Sequence, residues 1–444
     1  MHQAITKDTL TEITNPSFRE NAQIYIDIED DFRAQVKGFG LDFSTESFLA
    51  PYDPWVRELE ERGLVIANDS KSLHVGWFSP SCESCRKGIG TATYLFTTQC
   101  PRNCFFCFNP NQYDYDRLRT EFDDPTRSLV QMHAGGIAFR DLALTGGEPL
   151  IDIDRTIDFF QVAKRLYPKA YTRLYTSGAF LDEDCVARLA LAGLDEIRFS
   201  VKTYDSKDEQ EELFKRIELA VKTLPSVVVE MPIMPDELEV MKALLVRLDE
   251  IGVDGINLLE LGFPYNNAEE FSRRGYELKQ DPFRVLYDYT YAGGLPIAGS
   301  EDVCLRLLGF AIDQGLGLGV HYCSLENKYS GQVYQQNIAQ KEAFGFCEFS
   351  SRDYFLKSLK AYGHDAVSIE CLLVKHGLNR FRKDTKNQVI EFSPTYVEHL
   401  LTDFPDLQLA LSYHVIEGEG SEAYLRELRL DRTTPSTFNP LEDL

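Results

Sequence analysis

From about Gly90 the chain alternates short apolar runs with longer amphipathic stretches. The runs TATYLFTT, DLALTGG, TRLYTSG, EIRFSVK, VVVEMPI, GINLLEL and GLGVHYCS have strand length and strand composition. Most are separated by segments such as DIDRTIDFFQVAKRLY, DEDCVARLALAG and ELEVMKALLVRLDEIG, whose apolar positions follow a helical period. Strand–helix–strand repetition of this kind predicts parallel strands joined by right-handed crossovers, an α/β fold. Seven units fall short of the eight that close a barrel. A partial (β/α)6-type barrel is therefore expected, with its chemistry at the C-terminal ends of the strands. Cys100, Thr145 to Glu148, Thr176, Ser177, Ser200, Lys202, Glu230, Glu260 and Cys323 fall at or just past those predicted ends.

Outside this repeat the pattern is weaker. Residues 1–80 read as a small leader domain, with a strand-like run AQIYIDIED and a short helix before a strand in DPWVRELEERGLVIAN. After residue 335 the alternation fades, and the last 55 residues carry eleven acids against three arginines. The expected organisation is a leader at 1–80, a partial barrel at 81–335 and an acidic α+β extension at 336–444.

The formal charge of −24 over 444 residues implies an acidic surface and argues against a broad nucleic-acid footprint. No apolar run approaches the roughly 20 residues that span a bilayer. The start MHQAITKDTLTEITN lacks the basic and apolar parts of a signal peptide, so a cytoplasmic location and no membrane partner are expected. In a reducing compartment ten cysteines point to metal ligation or buried thiols, not to disulfides.

Three of those cysteines, Cys100, Cys104 and Cys107, lie in TTQCPRNCFFCFNP with C-x3-C-x2-C spacing. Closely spaced thiolates are the usual ligands of an iron–sulfur cluster. Three of them can hold three irons of a 4Fe–4S cube and leave the fourth open, as catalytic metal centres require. Zinc would want a fourth Cys or His nearby, and FNPNQYDYD offers none.

With Phe106 just before the last cysteine, the motif resembles the signature of the radical S-adenosylmethionine superfamily. The resemblance covers roughly residues 90–325. LTGGEPL supplies Gly146, Gly147, Glu148 and Pro149 where that family carries a Gly-Gly-Glu-Pro motif. The resemblance implies a 4Fe–4S cluster that reductively cleaves S-adenosylmethionine to a hydrogen-abstracting 5′-deoxyadenosyl radical. It also implies an electron donor such as flavodoxin or ferredoxin. The two glycines would let backbone approach the cofactor. Ser200 and Lys202 could meet its carboxylate and ribose, and Phe106 could wall the adenine. Thr176, Ser177 and Glu230 are further candidate contacts.

Cys82 and Cys85 in SPSCESCRKG, with Cys323 in GVHYCS, suggest a second metal site, zinc or an auxiliary iron–sulfur cluster. Cys347 or His321 could complete it. One difficulty is that Cys85 precedes the first predicted strand, nominally at the opposite rim from Cys323. Cys185, Cys304 and Cys371 read as core thiols. With these elements the sequence is similar to an archaeal and bacterial family related to pyruvate formate-lyase activating enzymes. The expected substrate is a peptide, protein or small molecule. A radical RNA-modifying enzyme is the alternative, resting on the basic run VKHGLNRFRKDTK. A non-catalytic iron–sulfur protein is a third reading, against which the GGEP motif counts.

Overall fold

The computed structural model describes residues 2–287 and 294–444. The chain forms two compact units, one built mainly from Phe39–Pro282 and continuing to Gly331, the other mainly from Met1–Gly38 and Gln332–Leu444. These units cut the chain differently from the expected boundaries. Residues 1–38 group with the C-terminal part, and 39–80 group with the parallel sheet. Among the described residues no helix is long and apolar enough to cross a membrane.

The larger unit carries a nine-stranded sheet. Its strands are β1 (Val65–Ala67), β2 (Ser72–Val75), β3 (Thr91–Leu95), β4 (Asp141–Thr145), β5 (Tyr171–Thr176), β6 (Glu196–Phe199), β7 (Ser226–Ile233), β8 (Gly255–Glu260) and β9 (Gly319–Cys323). The order is β1-β2-β9-β8-β7-β6-β5-β4-β3, with β3 to β9 parallel and β1 and β2 added antiparallel at one edge. The seven apolar runs are thus the seven parallel strands, and the sheet stays open. Helices Pro125–Ala134, Ile153–Leu166, Glu183–Leu191 and Lys207–Val221 each start on a side chain that accepts a backbone N–H, from Asp124, Asp152, Asp182 and Ser206.

In register, parallel partners share a face of the sheet. One face buries Leu142, Leu144, Leu174, Ile197, Val229 and Leu258 within the main hydrophobic core. The other face pairs Arg173 with Glu196, Tyr175 with Arg198, Glu230 with Asn257, and Asn257 with His321. A polar, charged face inside a sheet is costly unless its groups satisfy one another. Arg198 does most of that work. Its Nε donates to Glu196 Oε1 and its Nη1 to Glu230 Oε2, each at 2.5 Å, and Nη2 reaches Ser81 Oγ at 2.8 Å.

The segment before β3 crosses this face because two strands begin with glycine. A Cβ on Gly319 would lie 2.1 Å from the Trp77 carbonyl oxygen, and one on Gly255 would lie 2.8 Å from the Trp77 ring. The short helix Pro80–Cys85 follows, and Ser79 Oγ donates to Glu196 Oε2 at 2.5 Å.

In the smaller unit, β10 (Leu356–Tyr362), β11 (Phe381–Asp384), β12 (Val389–Phe392), β13 (Leu409–Glu417) and β14 (Tyr424–Thr433) form an antiparallel sheet, with Gln3–Ala4 pairing along β14 and Glu348–Phe349 along β10. AQIYIDIED is not a strand. It lies in the helix Pro16–Lys37, capped by Asn15 with Pro16 in the first turn. The buried positions are Phe18, Ala22 and Ile26, four apart, with Val36 further on, whereas Ile24 and Ile28 are 51% and 53% exposed. Cys371 is exposed on the helix His364–Lys375, and only Cys185 and Cys304 of the expected core thiols are buried.

Arg198→Ala would remove the ion-pair partner of buried Glu196 and part-buried Glu230 and is expected to destabilise the larger unit by about 3–5 kcal/mol in denaturant titrations. Burial tends to raise the Glu230 pKa, but Arg198 and Asn257 outweigh it and hold the carboxyl below its ordinary range. The Glu230 contribution is therefore fully present above about pH 4.3 and lost as pH falls through the lowered value. Arg198→Ala should flatten that acid limb of the stability profile. An unchanged limb would contradict the assignment.

Candidate active site

The GGEP segment follows β4 and lies against the chain that leads into the first cysteine. Gly147 N–H donates to Thr97 O at 2.6 Å, and Glu148 N–H donates to Gln99 O at 2.8 Å. This continues the β3–β4 ladder to the residue before Cys100. The approach leaves no room for side chains. A Cβ on Gly146, where φ is 146°, would sit 2.2 Å from Thr97 O, and a Cβ on Gly147 would sit 2.2 Å from Gln99 O. The Gly146 carbonyl accepts from Asn109 Nδ2 at 3.2 Å, so the loop is held on both sides of its cysteines.

Glu148 is fully buried, and its carboxylate is filled by protein donors. Oε1 accepts from Leu150 N–H at 3.1 Å and Thr176 Oγ1 at 2.8 Å, and Oε2 accepts from Ser177 N–H at 2.8 Å and from Ser177 Oγ. Thr176 and Ser177 therefore spend their donors on Glu148, tying the loop after β4 to the end of β5. Pro149 opens the short helix Pro149–Asp152, and its carbonyl accepts from Thr156 Oγ1 at 2.7 Å.

The cysteine loop meets the segment after β6. The Lys202 ammonium bonds Ser200 Oγ and lies 5.0 Å from the Phe106 ring centroid, a cation–π contact. Burial lowers the Lys202 pKa, and Cys104 and Cys100 are among the thiols it faces. Arg102 pairs with Asp205, and Tyr204 hydrogen-bonds Cys104. Phe105 packs edge-on to Phe271 at 5.0 Å, with the Arg274 guanidinium 4.4 Å from its ring centroid. Arg102, Asn109, Tyr204 and Asp205 were not among the sequence candidates. Arg102 and Asn109 flank the triad closely enough to have been suspected, but nothing local marks Asp205.

Burial pushes the Cys100 thiol up to about 11, and it also raises Cys107. These are protonated thiols that a metal must deprotonate on binding. Two thiolates on one tetrahedral zinc stand about 3.8 Å apart, given Zn–S bonds of about 2.3 Å. The triad's sulfurs do not gather within 4.8 Å. Among the described residues the group that does is Cys347, Glu391 and His414. Closely spaced cysteines in an anchored loop are the usual ligands of a multi-iron cluster.

Cys82 and Cys323 lie toward the polar face of the sheet, with Cys85 near enough to act on Cys323, although the three sulfurs do not gather within 4.8 Å. Cys82 Sγ accepts from Arg198 Nη2 at 3.3 Å and Asn257 Nδ2 at 3.4 Å. Cys323, the last residue of β9, accepts from Asn327 Nδ2 at 3.2 Å. Burial pushes its thiol up to about 12, with Cys85 and Cys82 adding to the rise. The chain thus doubles back through Pro80–Cys85, which removes the rim difficulty. His321 is unsuited as a fourth ligand. Its ring nitrogens bond Asn257 Oδ1 at 2.9 Å and Ser72 Oγ at 3.0 Å, and burial holds it neutral. Cys347 lies in the other compact unit. Glu230 belongs to this network through Arg198 and Asn257, not to the triad loop. Arg173, 8% exposed, has a buried Nε without a hydrogen-bond partner on the same face. The alternations in TRLYT and EIRF carried the signal for this polar face.

Residues 94–271 match the radical SAM superfamily. A Methanocaldococcus jannaschii protein provisionally named a glycyl-radical enzyme activating enzyme is 28% identical over 242 residues, 51% of this chain and 59% of that protein. The PqqA peptide cyclase of Gluconobacter oxydans is 36% identical over 104 residues, 23% of this chain and 28% of the relative. This chain thus spans less than two thirds of either relative. The structure of Streptococcus suis SuiB bound to S-adenosylmethionine is 14% identical, covers 55% of this chain and 52% of SuiB, and has a TM-score of 0.39.

Gly147→Ala should displace the cysteine loop by about 1 Å, a misplacement that costs about 100-fold in rate. Anaerobic iron incorporation and S-adenosylmethionine cleavage are the measurements. Gly345→Ala, where a methyl would meet nothing within 4 Å, is the control expected to behave as wild type. Equal behaviour of the two variants would contradict the packing account.

Proposed function

We propose that this chain is a radical SAM enzyme, in line with the match of residues 94–271 to that superfamily, and that Cys100, Cys104 and Cys107 hold a 4Fe–4S cluster whose open iron takes S-adenosylmethionine. The observation that carries this reading is the loop itself. It presents three thiols in eight residues, anchored by the backbone of Gly146 to Glu148. Bound there, cluster and cofactor would supply a 5′-deoxyadenosyl radical that abstracts a substrate hydrogen. The protein's own part is positioning. Glu148, Thr176 and Ser177 fix the loop and act as positioning residues. Lys202 and Ser200 offer a cation and a hydroxyl to an amino-acid carboxylate, and Phe106 shields that cation from water. Pro149 sets the turn that returns the chain to the helix behind the site.

The electron donor is proposed to be a flavodoxin or ferredoxin, and the location cytoplasmic. The substrate class that the relatives favour is a peptide or protein, given the kinship to a peptide cyclase and an activating enzyme; a small molecule is the alternative. A radical RNA-modifying enzyme is the other alternative, and three of the basic residues it rests on are engaged within the protein. Arg380 pairs with Glu348 at 2.7 Å, Arg382 with Glu391 at 2.6 Å and Lys383 with Glu370 at 2.5 Å. These pairs reduce the positive charge of the run that is available to phosphates. Cys82, Cys85 and Cys323 are proposed ligands of a second centre, zinc or an auxiliary iron–sulfur cluster. Arg198 and Arg173 on the same face, with Lys328 acting on Cys323, would balance an anionic thiolate centre.

Anaerobic reconstitution followed by dithionite and S-adenosylmethionine should yield 5′-deoxyadenosine. Alanine at any one triad cysteine should bring the yield to background. Lys202→Ala should raise the KM for S-adenosylmethionine by about tenfold, the loss of a charge-assisted contact. A fully loaded wild-type cluster that yields no 5′-deoxyadenosine would sink the enzyme reading. Cys82→Ala/Cys85→Ala should lower metal content while leaving the triad cluster's reduced EPR signal intact. Unchanged total metal would remove the second centre.

A further inference from the structure

The antiparallel sheet of the smaller unit carries a buried donor cluster that the proposed reaction does not use. We propose that Cys347, Glu391 and His414 bind a divalent transition-metal ion, zinc by its chemistry.

The register of the sheet brings the three together. On the central strand β10, Leu356 is paired with His414 of β13, and Lys360 is paired with Glu391 of β12. Directly paired residues share a face, so Ser358, midway between, looks onto both. Its hydroxyl lies 2.5 Å from Glu391 Oε1 and 3.0 Å from His414 Nε2, and His414 Nε2 is 2.9 Å from that same oxygen. Cys347 stands in the turn before Glu348–Phe349, the strand that pairs with the start of β10. One ligand atom from each of Cys347, Glu391 and His414 lies within 4.8 Å of the others, and all three residues are buried.

Three further observations point to an ion. The β13–β14 register shifts between Tyr413 and His414, a bulge of the kind that re-aims a side chain. His414 is fully buried, and the nitrogen it turns to the cluster is Nε2, beside Glu391 Oε1 and Ser358 Oγ. Finally, Arg382 donates from Nε to Glu391 Oε2 at 2.6 Å, the outer partner that orients a ligating carboxylate, while Oε1 faces the histidine.

A sulfur, a nitrogen and a carboxylate oxygen form a borderline-soft set that suits zinc over magnesium or calcium. On binding, the Cys347 S–H bond gives way to a sulfur–zinc bond and the proton leaves to solvent. Thiolate and carboxylate offset the ion's charge, with Lys360 Nζ 4.0 Å from Glu391 Oε1 and Arg382 on Oε2 also entering the balance. Water or the Ser358 hydroxyl completes the coordination.

The test is zinc and iron content of the full chain as wild type, Cys347→Ser and His414→Gln. Zinc should fall by about one equivalent in each variant, as expected for one mononuclear site, with iron unchanged. A second measurement covers the case in which the variants fold poorly. Cobalt(II) added to the chain with Cys347, Glu391 and His414 intact but carrying Cys82→Ala/Cys85→Ala/Cys100→Ala/Cys104→Ala/Cys107→Ala/Cys323→Ala should give thiolate-to-cobalt charge-transfer absorption that zinc displaces. Equal zinc in all three proteins, or no such cobalt absorption with that donor cluster intact, would show a hydrogen-bonded network only and overturn the proposal. Neither readout depends on the radical chemistry.

Discussion

The close approach of two backbones, Gly146 to Glu148 against Thr97 to Gln99, is the constraint on which the rest of the site depends. It needs the absence of two Cβ atoms, since each would sit 2.2 Å from a carbonyl oxygen. It also needs a buried carboxylate, Glu148, that four protein donors hold in place. The GGEP motif thereby packs directly against the chain that leads into the cysteine loop. Its glycines admit a neighbouring strand, and its glutamate fastens the loop after β4 to the end of β5. The loop's other edge is set by Lys202, Phe106 and the Arg102–Asp205 pair. A loop fixed on both sides can present its thiols in one arrangement, which a cluster with an open iron requires.

The polar face of the sheet is the second organising feature. A parallel sheet is usually apolar on both faces. Here Arg173, Glu196, Arg198, Glu230, Asn257 and His321 occupy one of them. The desolvation cost is met by a network centred on Arg198, and Cys82 joins it through the Pro80–Cys85 helix. A buried charged network of this kind adds little net stability and is expensive to break. Its presence beside three cysteines is coherent with a site that holds charge.

The parallel strands were readable because their apolar runs and the helical periods between them are strong and local. The triad and GGEP were readable as motifs. Other features depend on tertiary context that a linear pattern does not carry. Ile24, Ile26 and Ile28 alternate like a strand, but packing selects Phe18, Ala22 and Ile26, and the segment is a helix. The roles of Thr176 and Ser177 could not be seen without Glu148 between them in space. Asp205 is marked only by its partner Arg102, more than a hundred residues away. Cys347, Glu391 and His414 are far apart in sequence, and only the antiparallel register unites them.

The central claim is that three thiolates leave one iron open to the amino-acid end of S-adenosylmethionine. Electron–nuclear double resonance of the reduced, reconstituted protein with S-adenosylmethionine carrying 15N in its amino group tests it most directly. The account predicts a 15N hyperfine coupling to the cluster that appears on adding the labelled cofactor and is absent with unlabelled material. A reduced 4Fe–4S signal that shows no such coupling, and that the cofactor leaves unchanged, would contradict it.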